Sequence, residues 1–199
     1  MKNLKNYLLR GTPSLLLPIG AGFVMASSSD IRAALGMGFA VLVVTLLSSL
    51  VVCLIKKFTP ERFHLPIHVL IVTGFVSLVD MLMQAYVPNV VTMLGVHLAA
   101  LAVSAVPYRE TIEVAEVSGM KKTVVSALIT GLFFTLIMVA CALIREVLGN
   151  GSFFGLEIGF LANYKISALA GAFGGYLVLA IVLAIIRAIG EKFVDKEDN

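Results

Sequence analysis

The sequence predicts an all-α polytopic membrane protein, with six transmembrane helices in a 3+3 inverted repeat and breaks in the first and fourth. Three observations carry this. Of 199 residues, 59% are hydrophobic and 14% charged, with a mean hydropathy of +1.01; soluble domains carry about 25% charged residues. A hydrocarbon core of about 30 Å takes roughly 20 apolar residues at about 1.5 Å each, and six runs approach that length: 11–29, 33–55, 63–79 continuing past one acid, 90–108, 123–144 and 166–186. The third observation is the charge pattern. With six crossings, one side holds Lys2, Lys5, Arg10, Lys56, Lys57, Arg62, Arg109, Lys121, Lys122, Arg187, Lys192 and Lys196, and the other only Arg32, Arg145 and Lys165. That asymmetry is a positive-inside signal, so both termini are expected to be cytoplasmic.

The runs leave no room for a nucleotide-binding fold or a soluble catalytic domain, and residues 1–199 read as one integral membrane domain. No contiguous basic face supports nucleic-acid binding. The N-terminal stretch superficially resembles a signal peptide, but no small-residue cleavage site follows promptly, so it is read as a retained first helix.

The first span, GTPSLLLPIGAGFVMASSS, contains Gly11, Pro13, Pro18, Gly20 and Gly22. A mid-span proline removes a donor and clashes with the carbonyl four residues earlier, which predicts a break near Leu17–Pro18. The second span reads as a packed helix in which Ala34 and Gly38 allow close backbone approach. Its Cys53, like Cys141 in the fifth span, has no CxxC or CxxH neighbour and reads as a small buried side chain.

The third span opens with His64 and His68, four apart. They could share a face for zinc, but with no third ligand nearby in sequence they read as interfacial. Further along it, Asp80 falls about 10 Å from the external end, where ionisation costs up to roughly 2.5–3.5 kcal/mol. It is a candidate for an ion path, or a carboxylate hydrogen-bonded to a neighbouring helix.

The fourth span closes with Ser104, Ala105, Val106 and Pro107, which predicts an interruption there. Beyond it, Glu110, Glu113 and Glu116 would form one acidic face, either solvated or a docking surface for a redox partner. The fifth ends at Arg145 and Glu146, an interfacial pair shaping the LGNG turn, with Glu146 a second candidate for the ion path. The sixth carries Gly171 and Gly175, again a packing pair. Interrupted spans at corresponding positions signal an inverted repeat, here with halves 1–89 and 90–199. No nucleophile–base pair or phosphate-cradling loop is evident, so catalysis by this chain alone is not expected.

The strings LPIHVLIVTGFVSLVDMLMQAYVP (65–88), ALGMGFAVLVVTLLSSLVV (34–52) and IREVLGNGSFFG (144–155) resemble the six-helix membrane subunits of the Rnf and Na⁺-translocating NADH:quinone oxidoreductase complexes. VDMLMQAY and REVLGNG are the most specific. The resemblance covers nearly the whole chain and is best to the branch called E in Rnf and D in the quinone reductase. It implies coupling of electron transfer to Na⁺ or H⁺ movement in the inner membrane. It also implies an oppositely oriented homologous membrane subunit, a flavin-carrying membrane subunit and further redox subunits as partners.

In that family each broken helix places a cysteine at mid-membrane, and two such subunits jointly hold a [2Fe–2S] cluster. The matching positions here are Leu17 and Ala105, which have no donor atom, whereas iron–sulfur clusters need thiolates, with histidine as a substitute. Cys53 and Cys141 lie away from mid-membrane, and His97 is about 12 Å from Ala105 along a helix. The expectation is a scaffold and gate that binds no cofactor of its own. A six-helix vitamin-binding component of an energy-coupling transporter is the competing reading on length and hydropathy.

Overall fold

The structure is a computed structural model that describes residues 30–150, 152–153, 156–157 and 171–195. The first span, with Leu17 and Pro18, lies outside the described residues, as do 166–170 of the sixth. The described chain is helical apart from a two-residue antiparallel ladder pairing Ser152–Phe153 with Leu156–Glu157. This small hairpin follows the LGNG segment, 148–151, read as a turn.

Two long helices form the centre: α1 (Ile31–Ile55) and, later in the chain, the helix Met120–Arg145. They approach closely because small residues face bulk across the contact. A Cβ on Gly38 would come within 2.5 Å of Thr135, and one on Gly131 within 3.0 Å of the Leu42 backbone. These pairs fix an antiparallel register, with Gly38 beside Thr135 and Leu42 beside Gly131. The close approach expected of Gly38 is therefore present, and Gly36, not singled out from the sequence, makes another: a Cβ there would overlap Val90.

A 3₁₀ turn (Glu61–Phe63) leads into α2 (His64–Tyr86), which packs on α1 through its Val72, Val76, Val79 and Met83 stripe. After Val87 the chain forms α3 (Pro88–Leu94), α4 (Val96–Ala100), a 3₁₀ turn (Leu101–Val103) and α5 (Ala105–Arg109). A π-helical turn (Glu110–Ala115) follows, then the long helix, here α6 (Met120–Arg145). A second π turn (Glu146–Asn150) and α7 (Ala172–Asp195) complete the described chain. The core joins Met37, Ala40, Val41 and Val44 of α1 to Leu94, Leu98 and Leu101, to Phe134, Ile137 and Met138 of α6, and to Val178, Leu179 and Val182 of α7.

Among the described residues α1, α2 and α6 are long and apolar enough to cross a membrane, and the bent pair Pro88–Leu94 and Val96–Ala115 makes a fourth span if taken as one. The apolar part of α7 is Phe173–Ile185. Exposed apolar side chains such as Phe39, Leu70, Met81, Leu132 and Leu136 face outward, as expected where lipid replaces water. The chain is thus an all-α polytopic membrane protein.

The fourth span is interrupted twice. At Gly95 (φ 52°, ψ −132°) its two parts bend by 74°. A Cβ there would meet nothing within 4 Å, so glycine is required by the backbone conformation and not by crowding. This bend is additional to the break expected from the sequence. The second interruption is the anticipated one, at Ser104, whose extended backbone (φ −71°, ψ 136°) separates the 3₁₀ turn from α5. Pro107 is not its direct cause: it sits in the first turn of α5, where an amide has no intrahelical acceptor.

Candidate functional site

Breaking a helix inside apolar surroundings frees backbone groups that must find partners. At Ser104 the chain supplies them locally. The Tyr108 hydroxyl donates to the Ala102 carbonyl at 2.8 Å, bridging the break, and the Ser104 amide donates to Leu101 O at 3.0 Å. The Ser104 side chain accepts from the Val106 amide at 3.5 Å, as a helix N-cap does. Ala105, the residue matching the implied cysteine, begins α5, which packs on α1.

The donor set does not fit an iron–sulfur cluster held at this position. Ala105 presents a methyl group. Cys141 lies six residues beyond Thr135 on α6, about 9 Å along the helix toward the Arg32 end. Cys53 lies at the opposite end of α1, its Sγ 3.8 Å from Ser118 O, and His97 is on α4, beyond the interruption. Among the described residues no three His, Cys, Asp or Glu side chains are grouped to hold a metal ion.

The three glutamates after the break do not form the single acidic face expected. In a π turn the i→i+5 winding places positions three apart on different sides. Glu113 is exposed and accepts from Arg109 Nε at 2.9 Å, and Glu116 pairs with His64. Glu110 turns inward and is 1% exposed, its Oε2 accepting from Thr130 Oγ1 at 3.1 Å. The one sequence signal for this is position: Glu110 lies one short helix past the break and precedes the apolar α6, a hint that the regular spacing of the three acids obscures.

At the Lys56 end, His64 stacks on His68 with ring centroids 6.3 Å apart. Glu116 is the acidic neighbour that sequence spacing could not supply, and with His64 it ties α2 to the segment after the break. Lys56 Nζ donates to Ala115 O at 3.1 Å and Ser118 O at 2.5 Å, fastening the same segment to α1.

Asp80 accepts from Gln84 Nε2 at 2.9 Å, so its described partner is on its own helix, not a neighbouring one. Glu146 and Arg145, expected at an interface, are 0% and 1% exposed. Glu146 Oε2 accepts from the Ile31 amide at 2.9 Å, placing a carboxylate on the N-terminus of α1, where the helix dipole favours negative charge. Arg145 Nη2 donates to Gly171 O at 3.2 Å, linking α6 to the start of α7. Leu17 lies outside the described residues.

A family profile described as "Rnf-Nqr subunit, membrane protein" matches residues 1–186. The chain belongs to the Rnf-Nqr membrane-subunit family. Among Rnf-Nqr relatives, it is 29% identical to the E subunit of the Na⁺-translocating ferredoxin:NAD⁺ oxidoreductase complex of Acetobacterium woodii, over 94% of this chain and 95% of that one. It is 29% identical to the E subunit of the proton-translocating ferredoxin:NAD⁺ oxidoreductase complex of Clostridium ljungdahlii, over 96% and 92%. It is 27% identical to the E subunit of the ion-translocating oxidoreductase complex of Methanosarcina acetivorans, over 90% and 86%. Rnf-Nqr membership sets aside the vitamin-transporter reading.

Proposed function

We propose that this chain serves as the E-type membrane subunit of an ion-translocating oxidoreductase complex, coupling electron transfer to Na⁺ or H⁺ movement across the cell membrane. The observation that carries the reading is the near full-length match to E-type relatives from both Na⁺- and proton-translocating complexes. The doubly interrupted fourth span gives it a physical basis, since discontinuous helices at mid-membrane are where such proteins place ion and substrate sites. On this reading both termini are cytoplasmic, which the distribution of Lys and Arg supports.

The partners are other subunits of the complex: an oppositely oriented homologous membrane subunit, a flavin-carrying membrane subunit and further redox subunits. The exposed apolar surface of α1, α2 and α6 suits both lipid and neighbouring helices. The chain acts as scaffold and gate, with halves 1–89 and 90–199 as the moving units around two broken spans. It contributes no ligand to a [2Fe–2S] cluster, because Ala105 has no donor atom. Electrons pass through other subunits, and this chain positions them and controls ion access.

The test is purification of the assembly through a tag on this chain. The expected result is co-purification with flavin- and iron-carrying subunits, and Na⁺ or H⁺ uptake by proteoliposomes when ferredoxin reduces NAD⁺. A chain recovered alone from membranes that contain those subunits would contradict the reading, and a cluster ligated by this chain would contradict the scaffold role.

A further inference from the structure

We propose that Glu110 is the carboxyl of a monovalent-cation site, taking a proton or Na⁺, set at the middle of the helix bundle; the inference rests on the ion-translocation reading above and locates the site within this chain. Its first support is an incomplete hydrogen-bond set. Glu110 Oε2 accepts from Thr130, but Oε1 is buried and has no partner among the described residues. Buried polar atoms are nearly always satisfied, and an exception calls for a ligand or a function. The second is depth. Thr130 adjoins Gly131, which lies against Leu42, one residue from the midpoint of the 25-residue α1. The carboxylate that Thr130 holds is therefore level with the centre of that helix, far from either end.

The third support is the chemistry of the surroundings. The π turn packs against α1 and α6, and three buried hydroxyls of the π turn and α1 have their protons engaged by backbone carbonyls. Thr45 donates to Val41 O at 2.7 Å, Ser48 to Val44 O at 2.6 Å, and Thr111 to Tyr108 O at 2.9 Å. A hydroxyl has one proton and two lone pairs, so each retains acceptor capacity and no proton to give. Ser49 Oγ, 0% exposed, has no partner among the described residues and so keeps both its proton and its lone pairs. A region rich in oxygen lone pairs and poor in donors, holding a carboxyl with one oxygen unserved, is suited to a small cation: a proton shared with a hydroxyl, or Na⁺ among the oxygens.

The charged groups of the packed elements are placed elsewhere. Between Arg32 and Cys53 α1 has no titratable side chain, and α6 has none between Lys122 and Cys141. On its own segment Arg109 donates to Glu113, Glu116 pairs with His64, and Tyr108 donates to Ala102 O. The π turn itself aims the side chain: such turns insert into helices at functional positions and re-direct the residues they carry.

The test is labelling of the intact complex in membranes with dicyclohexylcarbodiimide, which reacts with protonated carboxyls in apolar surroundings, followed by mass spectrometry of the peptide containing Glu110. The expected result is modification at Glu110, absent in Glu110→Gln, with a rate that falls at least tenfold on adding Na⁺ or on raising the pH. Protection by Na⁺ at fixed pH identifies Na⁺ as the occupant; protection by pH alone identifies the proton. An unmodified Glu110, or modification at one rate whatever the Na⁺ concentration and pH, overturns the site. Electron transfer is followed on the same preparation. A complex whose Glu110 is labelled and protected but which moves no electrons contradicts the functional reading and leaves the site standing. An active complex with an unreactive Glu110 contradicts the site alone.

Discussion

Two π-helical turns in this protein open on the same dipeptide, Arg109–Glu110 and Arg145–Glu146, and their glutamates meet different fates. Both are buried, at 1% and 0% exposure. Glu146 is a structural anion: it accepts the first amide of α1 beside a buried arginine that holds Gly171. Glu110 is held on one oxygen by Thr130 and leaves the other unserved. Burial alone therefore does not mark a functional carboxylate; what distinguishes the two is how complete the partner set is. The turn at Glu146 joins packed elements at a bundle end, whereas the turn at Glu110 follows a span broken at Ser104 and Gly95.

The largest effect that could break this contrast is on stability. Glu146→Ala removes a charge-assisted bond to the α1 amide and leaves that buried N–H without its acceptor, and is expected to cost roughly 3 kcal/mol. Reversible unfolding in mixed micelles would measure it, and an unchanged midpoint would deny the carboxylate its capping role. Gly38→Leu should cost about 2 kcal/mol by forcing α1 from Thr135, seen as a lower unfolding temperature of the purified chain. Tyr108→Phe strips the Ala102 carbonyl of its donor and should cost about 1–2 kcal/mol. Hydrogen exchange at the Ser104 break should rise in that variant and stay unchanged elsewhere.

Smaller effects sharpen the same contrast. Glu110→Gln keeps a carbonyl oxygen for Thr130 and should shift stability by less than about 1 kcal/mol, well below the Glu146 variant. Asp80→Asn is smaller still, about 0.3 kcal/mol, because an amide oxygen can still accept from Gln84 at i+4. A large loss of stability in either would mean that these acids hold the fold.

Much of the fold was legible because the bilayer limits the choices: apolar runs 33–55 and 123–144 became α1 and α6 within a few residues. The break at Ser104 was legible from local composition, although Pro107 proved to be an accommodated residue and not the breaker. The bend at Gly95 was not, because glycine in an apolar run has several uses and only φ distinguishes them. The candidate site was hidden for a related reason. Glu110, Glu113 and Glu116 follow α-helical spacing in sequence, and nothing in that spacing reveals that the chain winds as a π turn there and sends Glu110 inward. The burial of Arg145 and Glu146 was equally hidden, since Glu146 caps a helix more than a hundred residues away and Arg145 reaches Gly171 at the start of α7.

The most direct test of the distinction between the two glutamates compares Glu110→Gln with Glu146→Gln in reconstituted complex, recording ion uptake and electron transfer together. A cation site at Glu110 predicts that Glu110→Gln lowers uptake at least tenfold while electron transfer continues under dissipated ion gradients, and that Glu146→Gln changes both only in proportion to the amount of folded complex. Wild-type uptake in Glu110→Gln, or the same uncoupling in Glu146→Gln, would contradict it.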